Sequence, residues 1–317
     1  MLNLVGVGTI FRRAISVAID AITEAVNAFY TTYIARVTTD SGSVRSETNT
    51  KTIYRWFVEN DLVSYIKFLW FAEAGIKIAN PSDTLKRLSK GYSLDSTPNN
   101  WTQTVEANQP YLSGDIAPTE KYAVKNVSGS ARRGDFTAIT FTSGQAWTAT
   151  FVGQWDGSNN AEAAFLGKAN DAASLISFRN SSVNRFRIIN ESGSSVAGSE
   201  TINHLIGKNI IVSFVATGTG SLKIYVNGAL LETLTVATNI SLSRFLGGFN
   251  TASREFFGRC HYIDITQYDF TSLVSSYHTL LRTIYPEIET VQIGTQHWAT
   301  SNYDAVVTPM GTEIQEI

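Results

Sequence analysis

Residues 221–235 read SLKIYVNGALLETLT. Two β-prone runs, LKIYV and ALLETL, flank Asn227-Gly228. A two-residue connection between such runs forms a type I′ hairpin, in which both central residues need positive φ; Asn and Gly tolerate that best. The stretch therefore predicts antiparallel β structure with its register set at the turn.

Outward from this hairpin the same signals recur. Upstream, QAWTATFVGQW (145–155) places Trp147, Ala149, Phe151, Gly153 and Trp155 on one face, with mostly Thr, Val and Gln on the other. That alternation predicts a long, half-buried strand. Further strands are expected at residues 135–142, 174–179, 185–190, 208–217, 221–227, 229–235 and 257–267. Short strands separated by turn residues indicate a mainly β fold, an antiparallel sandwich of two sheets.

The N-terminal part reads differently. Ile15, Ile19, Ile22, Val26, Phe29 and Tyr33 are separated by steps of four and three, which puts them on one narrow helical stripe. Such a stripe packs on its own domain or, being narrow, on copies of itself; β-branched residues along it favour a trimer. TTDSGS (38–43) should end this helix. In TIYRWFVENDLVSYIKFLWFAEAGIKI (52–78), aromatic and aliphatic residues recur at mostly three- and four-residue spacing, which predicts two short helices broken near Asn60. Composition shifts to Ser, Thr, Asn and Gly after Asn80-Pro81. The expected organisation is a helical anchor and oligomerisation segment (1–80), a sandwich (81–285) and an extended C-terminal arm (286–317).

Composition narrows the function. The 317 residues carry 16% charged side chains and a net charge of -2, so there is no basic field to hold a phosphate backbone, and nucleic acid is not an expected partner. No apolar stretch reaches the roughly 18 uncharged residues of a membrane span, and the N-terminus lacks the features of a secretory signal. A single cysteine, Cys260, excludes an internal disulfide framework and a multi-cysteine zinc site.

At the hairpin the chain resembles the laminin-G/concanavalin-A-like superfamily, whose domains share a Tyr-Val-(Asn/Asp)-Gly turn. The match extends to IIVSFVA (210–216), FLGGF (245–249) and FFGRCHYIDI (256–265), in the family's order. The resemblance covers roughly residues 135–281 and implies a jelly-roll sandwich. The flanks RVTTDSGSV (36–44), QPYLSG (109–114) and GTQHWATSNYD (294–304) resemble virion structural proteins of tailed phages infecting Bacteroidetes. That second resemblance implies a fibre or attachment component on the particle exterior, with other virion proteins and a host surface glycan as partners.

Catalytic and metal signals are sparse. Calcium-binding members of the superfamily use loop oxygens; Asp156, Asp171 and Asn250 suit such loops but form no acidic cluster. Asp264 and Asp269 are spaced to opposite faces if their strand continues, which does not make a glycosidase pair. His204, His261, His278 and His297 are scattered, and neighbours Cys260 and His261 point to opposite faces of a strand. No phosphate loop, nucleophile elbow or dinucleotide fingerprint is present. Neither enzyme activity, metal nor cofactor is expected. Arg132, Arg133, Arg179, Arg185 and Arg187 read as solvated charges or as a patch for an acidic surface. Trp155, Tyr225 and Phe249 are the candidate glycan platform, with sandwich packing as the other reading. The functions in play are a virion attachment protein, a surface or secreted lectin-like module and, last, a glycoside hydrolase of the same superfamily.

Overall fold

Asn227 and Gly228 both take positive φ, 49° and 92°, and the strands they join pair Val226 with Ala229. This is the two-residue hairpin that the sequence predicts. Asn227 N donates to Ile211 O (2.8 Å), and Asn227 Oδ1 accepts from Ile211 N (2.7 Å), so the turn is tied to the start of the neighbouring strand. The computed structural model describes residues 4–112, 123–126, 132–157, 162–169, 171, 173–179, 183–248, 255–286, 291–293 and 296–298; for 4–16, 179, 291–293 and 296–298 the description is of the backbone.

Two antiparallel sheets face each other. The first runs, in spatial order, β1 (Ser43–Val44), β3 (Gly75–Ile78), β4 (Leu88–Tyr92), β5 (Trp101–Thr102), β8 (Gly134–Phe141), β17 (Ile240–Phe245), β10 (Ala163–Gly167), β11 (Leu175–Arg179), β12 (Arg185–Ile189) and β13 (Ser195–Ala197). The second runs β16 (Ala229–Thr235), β15 (Ser221–Val226), β14 (Asn209–Thr217), β9 (Ala146–Trp155), β18 (Gly258–Thr266), β7 (Val124–Asn126) and β6 (Tyr111–Leu112), with β2 (Ile66–Phe71) also paired to β18. Between them lies one apolar core in which Trp70, Trp101, Trp147, Phe151, Trp155, Phe165, Phe178 and Phe214 are fully buried. Each such aromatic removes about 150–250 Å² from water. The fit is close at Gly91, where a Cβ would come within 2.0 Å of Trp101 Nε1 and 2.5 Å of Trp70 Nε1. At the edge of the second sheet, Glu232 Oε2 accepts from Ser199 N (2.8 Å), just beyond β13, and so links an edge strand of one sheet to the chain leaving an edge strand of the other.

The outer face of the second sheet is covered by helices, which the alternating pattern of β9 does not announce. Its outward residues Thr148, Thr150 and Val152 are as buried as Trp147. Over them packs α3 (Val274–Ile284), with α2 (Glu47–Glu59) against it and the C-terminal half of α1 (Leu4–Thr39) on α2 and β3; together they form a second core with Phe57, Tyr262, Phe270, Tyr277 and Leu281. Helix α2 starts at Ser46, whose side chain accepts from Asn49 N (3.1 Å), the usual N-cap bond.

Two expectations change. Residues 66–78 form β2 and β3 rather than a helix. Phe68 and Trp70 point into the sandwich core while Leu69 and Phe71 face the helical layer, so a strand buried on both faces mimics helical spacing. The sandwich thus takes strands from before Asn80-Pro81, and the first 80 residues are no separate helical unit. In the expected C-terminal arm, β19 (Val291–Ile293) and β20 (Gln296–Trp298) pair as a hairpin; the remainder of residues 287–317 lies outside the described residues.

The apolar stripe of α1 divides in two. Val26 and Tyr33 are buried, and Phe29 stacks on Tyr54 with ring centroids 3.5 Å apart. Tyr33 Oη donates to Tyr92 O (2.9 Å) and accepts from Gly75 N (2.6 Å), while Asp40, just after the helix, pairs with Lys77 (2.9 Å) and Lys90 (2.6 Å). These residues pack on their own chain, which corrects the reading of the whole stripe as an intersubunit seam. Ile22 is half-buried, every described side chain from Val17 to Ala21 is exposed, and the Ile15 side chain lies outside the described residues.

Candidate functional site

Strand β18 ends at Thr266, and the connection to α3 is held by one threonine. Thr148 Oγ1 donates to Tyr268 O (2.8 Å) and accepts from Phe270 N (3.3 Å). Phe270 turns inward against Trp56, Phe57 and Tyr277. Tyr268 is left at the surface, 36% exposed, beside Tyr65, 40% exposed, with ring centroids 5.3 Å apart. Tyr65 follows α2 and is brought to Tyr268 by the bond from Gln267 N to Tyr65 O (2.8 Å).

At this end of the sandwich Gln145, Ala146, Gln267, Tyr268, Asp269, Thr271 and Ser272 line an open cleft of about 600 Å³. Its polar groups are oriented from behind. Gln145 Oε1 accepts from Thr142 N (2.8 Å) in the β8–β9 turn, which leaves the amide Nε2 as a donor. Asp269 Oδ1 accepts from Thr271 N (2.8 Å), an Asx turn that fixes the carboxylate. Lys223 Nζ lies 3.5 Å from Thr271 Oγ1. Tyr225 sits behind the cleft; burial raises its pKa first, a hydrogen bond with Thr271 lowers it, and the Asp269 charge raises it further. Exposed aromatic rings beside fixed donors and acceptors suit a ligand with apolar C–H faces and many hydroxyls.

Of the platform residues expected from sequence, Tyr225 is not a lining residue but is hydrogen-bonded to one, Thr271. Trp155 is fully buried against Phe178, ring centroids 5.5 Å apart, so it is a core residue. Phe249 lies outside the described residues. Strand parity opposes Asp269 to Asp264 only if their strand continues, and the strand ends at Thr266. Tyr65 falls within the apolar recurrence of 52–78 and Tyr268 within no pattern, so neither reads as a surface ring; their exposure depends on how the segment after α2 and the β18–α3 connection meet.

The remaining candidates are structural. Asp264 is buried under α3, where Tyr277 Oη donates to it (2.6 Å) and Thr266 Oγ1 donates at 3.3 Å; burial raises its carboxyl to about 7 against those bonds. His278 Nε2 meets Ser213 Oγ (2.8 Å), and burial lowers its imidazole to about 3. Burial raises the Cys260 thiol, and His261 packs on Tyr285 at 5.4 Å. His204 is exposed, and the His297 side chain is outside the described residues. Arg132 lies over Tyr111 (4.8 Å), Arg133 is 3.9 Å from Glu255, Arg185 donates to Gly198 O (3.3 Å) and Arg187 pairs with Glu162, so these cations are engaged within the chain; the Arg179 side chain lies outside the described residues. Asp171 pairs with Lys168 (3.0 Å), Asp156 N donates to Phe257 O (3.1 Å), and Asn250 is outside the described residues. Among the described residues no three His, Cys, Asp or Glu side chains converge as a metal site, and no helix is long and apolar enough to cross a membrane.

The fold is thus an antiparallel β-sandwich with a helical coat on one sheet. No protein-family model and no curated protein matches the sequence. Among solved structures, the chain is similar to the binding domain of Paraclostridial Mosquitocidal Protein 1 (11% identity, TM-score 0.48, covering 70% of this chain and 53% of that one). It is also similar to the botulinum neurotoxin serotype G binding domain (13%, TM-score 0.47, covering 72% and 53%). A third is domain 4 of AbnA, an extracellular GH43 arabinanase from Geobacillus stearothermophilus, solved with arabinotriose (15%, TM-score 0.43, covering 58% and 91%). The chain spans about half the length of the first two.

Proposed function

We propose that this chain is a non-enzymatic, lectin-like module that binds a saccharide in the cleft beside Tyr268. The observation that carries the reading is the exposed Tyr65–Tyr268 pair adjoining a cleft whose amide and carboxylate groups are already fixed by the fold. Asp269 is the one acid among the described lining residues, whereas glycoside hydrolysis uses two carboxyl groups about 5–10 Å apart. A glycan array probed with purified protein tests the proposal. Binding that falls at least tenfold in Tyr268→Ala, with unchanged thermal unfolding, is the expected result; an array with no bound glycan refutes it.

A second reading concerns how the module is carried. Val17 and Ile19 are 62% and 53% exposed on the part of α1 that precedes its packed half. A bare helical stretch of this length is not stable in water alone, and its heptad spacing suits copies of itself. In this reading α1 gathers the modules into a trimer, and the flanking sequences resembling phage virion proteins make that assembly a fibre or attachment component on the particle exterior. Light scattering should give a multiple of 34.7 kDa for the full chain and a monomer mass for the Ile19→Asp variant; a monomeric full chain rules the trimer out.

A further inference from the structure

We infer that the cleft selects uncharged saccharides and rejects those bearing a carboxylate, such as sialylated or uronic-acid glycans, with Asp269 as the residue that makes the distinction. The inference rests on the saccharide reading of the cleft and adds the chemical class of its ligand.

Asp269 is the one charged side chain among the described lining residues. One of its oxygens is occupied by Thr271 N at 2.8 Å, which holds the carboxylate at the cleft and leaves the second oxygen as an acceptor for a sugar hydroxyl. The complementary donor is Gln145 Nε2, because Gln145 Oε1 is taken by Thr142 N. A donor amide and an acceptor carboxylate, both fixed, match vicinal hydroxyls, which donate and accept at once. A ligand carboxylate would instead face a like charge, with no guanidinium among the described lining residues to receive it. Lys223 reaches Thr271 Oγ1 at 3.5 Å but is not one of the lining residues. Anion recognition of a carboxylate normally uses an Arg fork or a set of convergent N–H groups. Rejection by an opposed charge is an established route to selectivity between otherwise similar ligands.

The test uses the full chain and matched pairs of oligosaccharides, neutral and sialylated, with wild type, Asp269→Asn and Tyr268→Ala measured by calorimetric titration. Asparagine keeps the oxygen that accepts from Thr271 N, so the loop turn survives the change. Wild type should bind the neutral member at least tenfold more tightly, and Asp269→Asn should bring the two members within about threefold. Equal affinities of wild type for both members, with both lost in Tyr268→Ala, overturn the charge selection while leaving the saccharide site standing. Unchanged binding in Tyr268→Ala, or no binding of either member, overturns the site and the selection together.

Discussion

The two faces of β9 lie on one strand and are both buried from Trp147 to Gly153, yet they are built differently. Trp147, Phe151 and Trp155 enter a core of aromatic and aliphatic side chains. Thr148 and Thr150, one residue out of phase, enter a layer where Thr150 meets Ser213 (2.9 Å), Ser213 meets His278, and Asp264 meets Tyr277, whose hydroxyl in turn meets that of Tyr262. The inner face draws its stability from area removed from water. The outer face exchanges some of that gain for hydrogen bonds that fix where α3, and with it the cleft loop, must sit. Directional bonds to few partners position an element more sharply than apolar contact does.

The inner face should be the more costly to damage. Phe151→Ala is expected to lower unfolding free energy by about 3–5 kcal/mol in urea titrations, the range for a truncated core aromatic; a loss under about 1 kcal/mol would deny the face its role. On the outer face Tyr277→Phe keeps the ring and removes one donor from a buried carboxyl, with an expected loss of about 1.5–3 kcal/mol. It should also raise the Asp264 pKa beyond its present value of about 7, since the Tyr277 bond lowers it.

Proton linkage separates the faces further, because only the outer one titrates. Asp264 is raised to about 7, so its contribution is full below the ordinary carboxylate range and is lost as pH rises through 7. His278 is lowered to about 3, so its contribution is present above the ordinary imidazole value and is lost as pH falls toward 3. Between about pH 4 and 6.5 the two slopes oppose each other. Removing the imidazole in His278→Asn should therefore expose the Asp264 term. Relative to wild type, the variant should gain stability as pH falls over that window, by up to about 1.4 kcal/mol per pH unit. Parallel stability curves for the two proteins would show that the pair does not titrate as its burial implies. The smallest effect is expected where the helical coat ends: Ile19→Ala, on an exposed part of α1, should change the unfolding free energy of dilute monomer by less than about 0.5 kcal/mol.

The contrast also explains what was readable in advance. Strands with one apolar and one polar face were legible, and so was the Asn227-Gly228 turn, because period and turn chemistry are local. Helix α3 was not: VSSYHTLLRTI is short, and Tyr277 and His278 disguise an amphipathic stripe whose polar members are buried too. Segment 66–71 was misread for the related reason that burial on both faces erases alternation. Trp155 looked like a ligand platform only because sequence cannot say which face of a strand meets a second sheet. The cleft was the least legible part, since Tyr65, Gln145 and Asp269 come from three separate connections and converge only in the folded chain.

The bond from Glu232 to Ser199 bears on how this molecule meets its neighbours. Strand β16 is an edge, and open edges invite stray strands from other chains. Here a carboxylate from that edge is already committed to the adjoining backbone, and a charged side chain at a sheet margin is poor company for an incoming strand. Addition of a stray strand is thus disfavoured along this flank, where a committed carboxylate rather than a bare run of peptide groups meets whatever approaches.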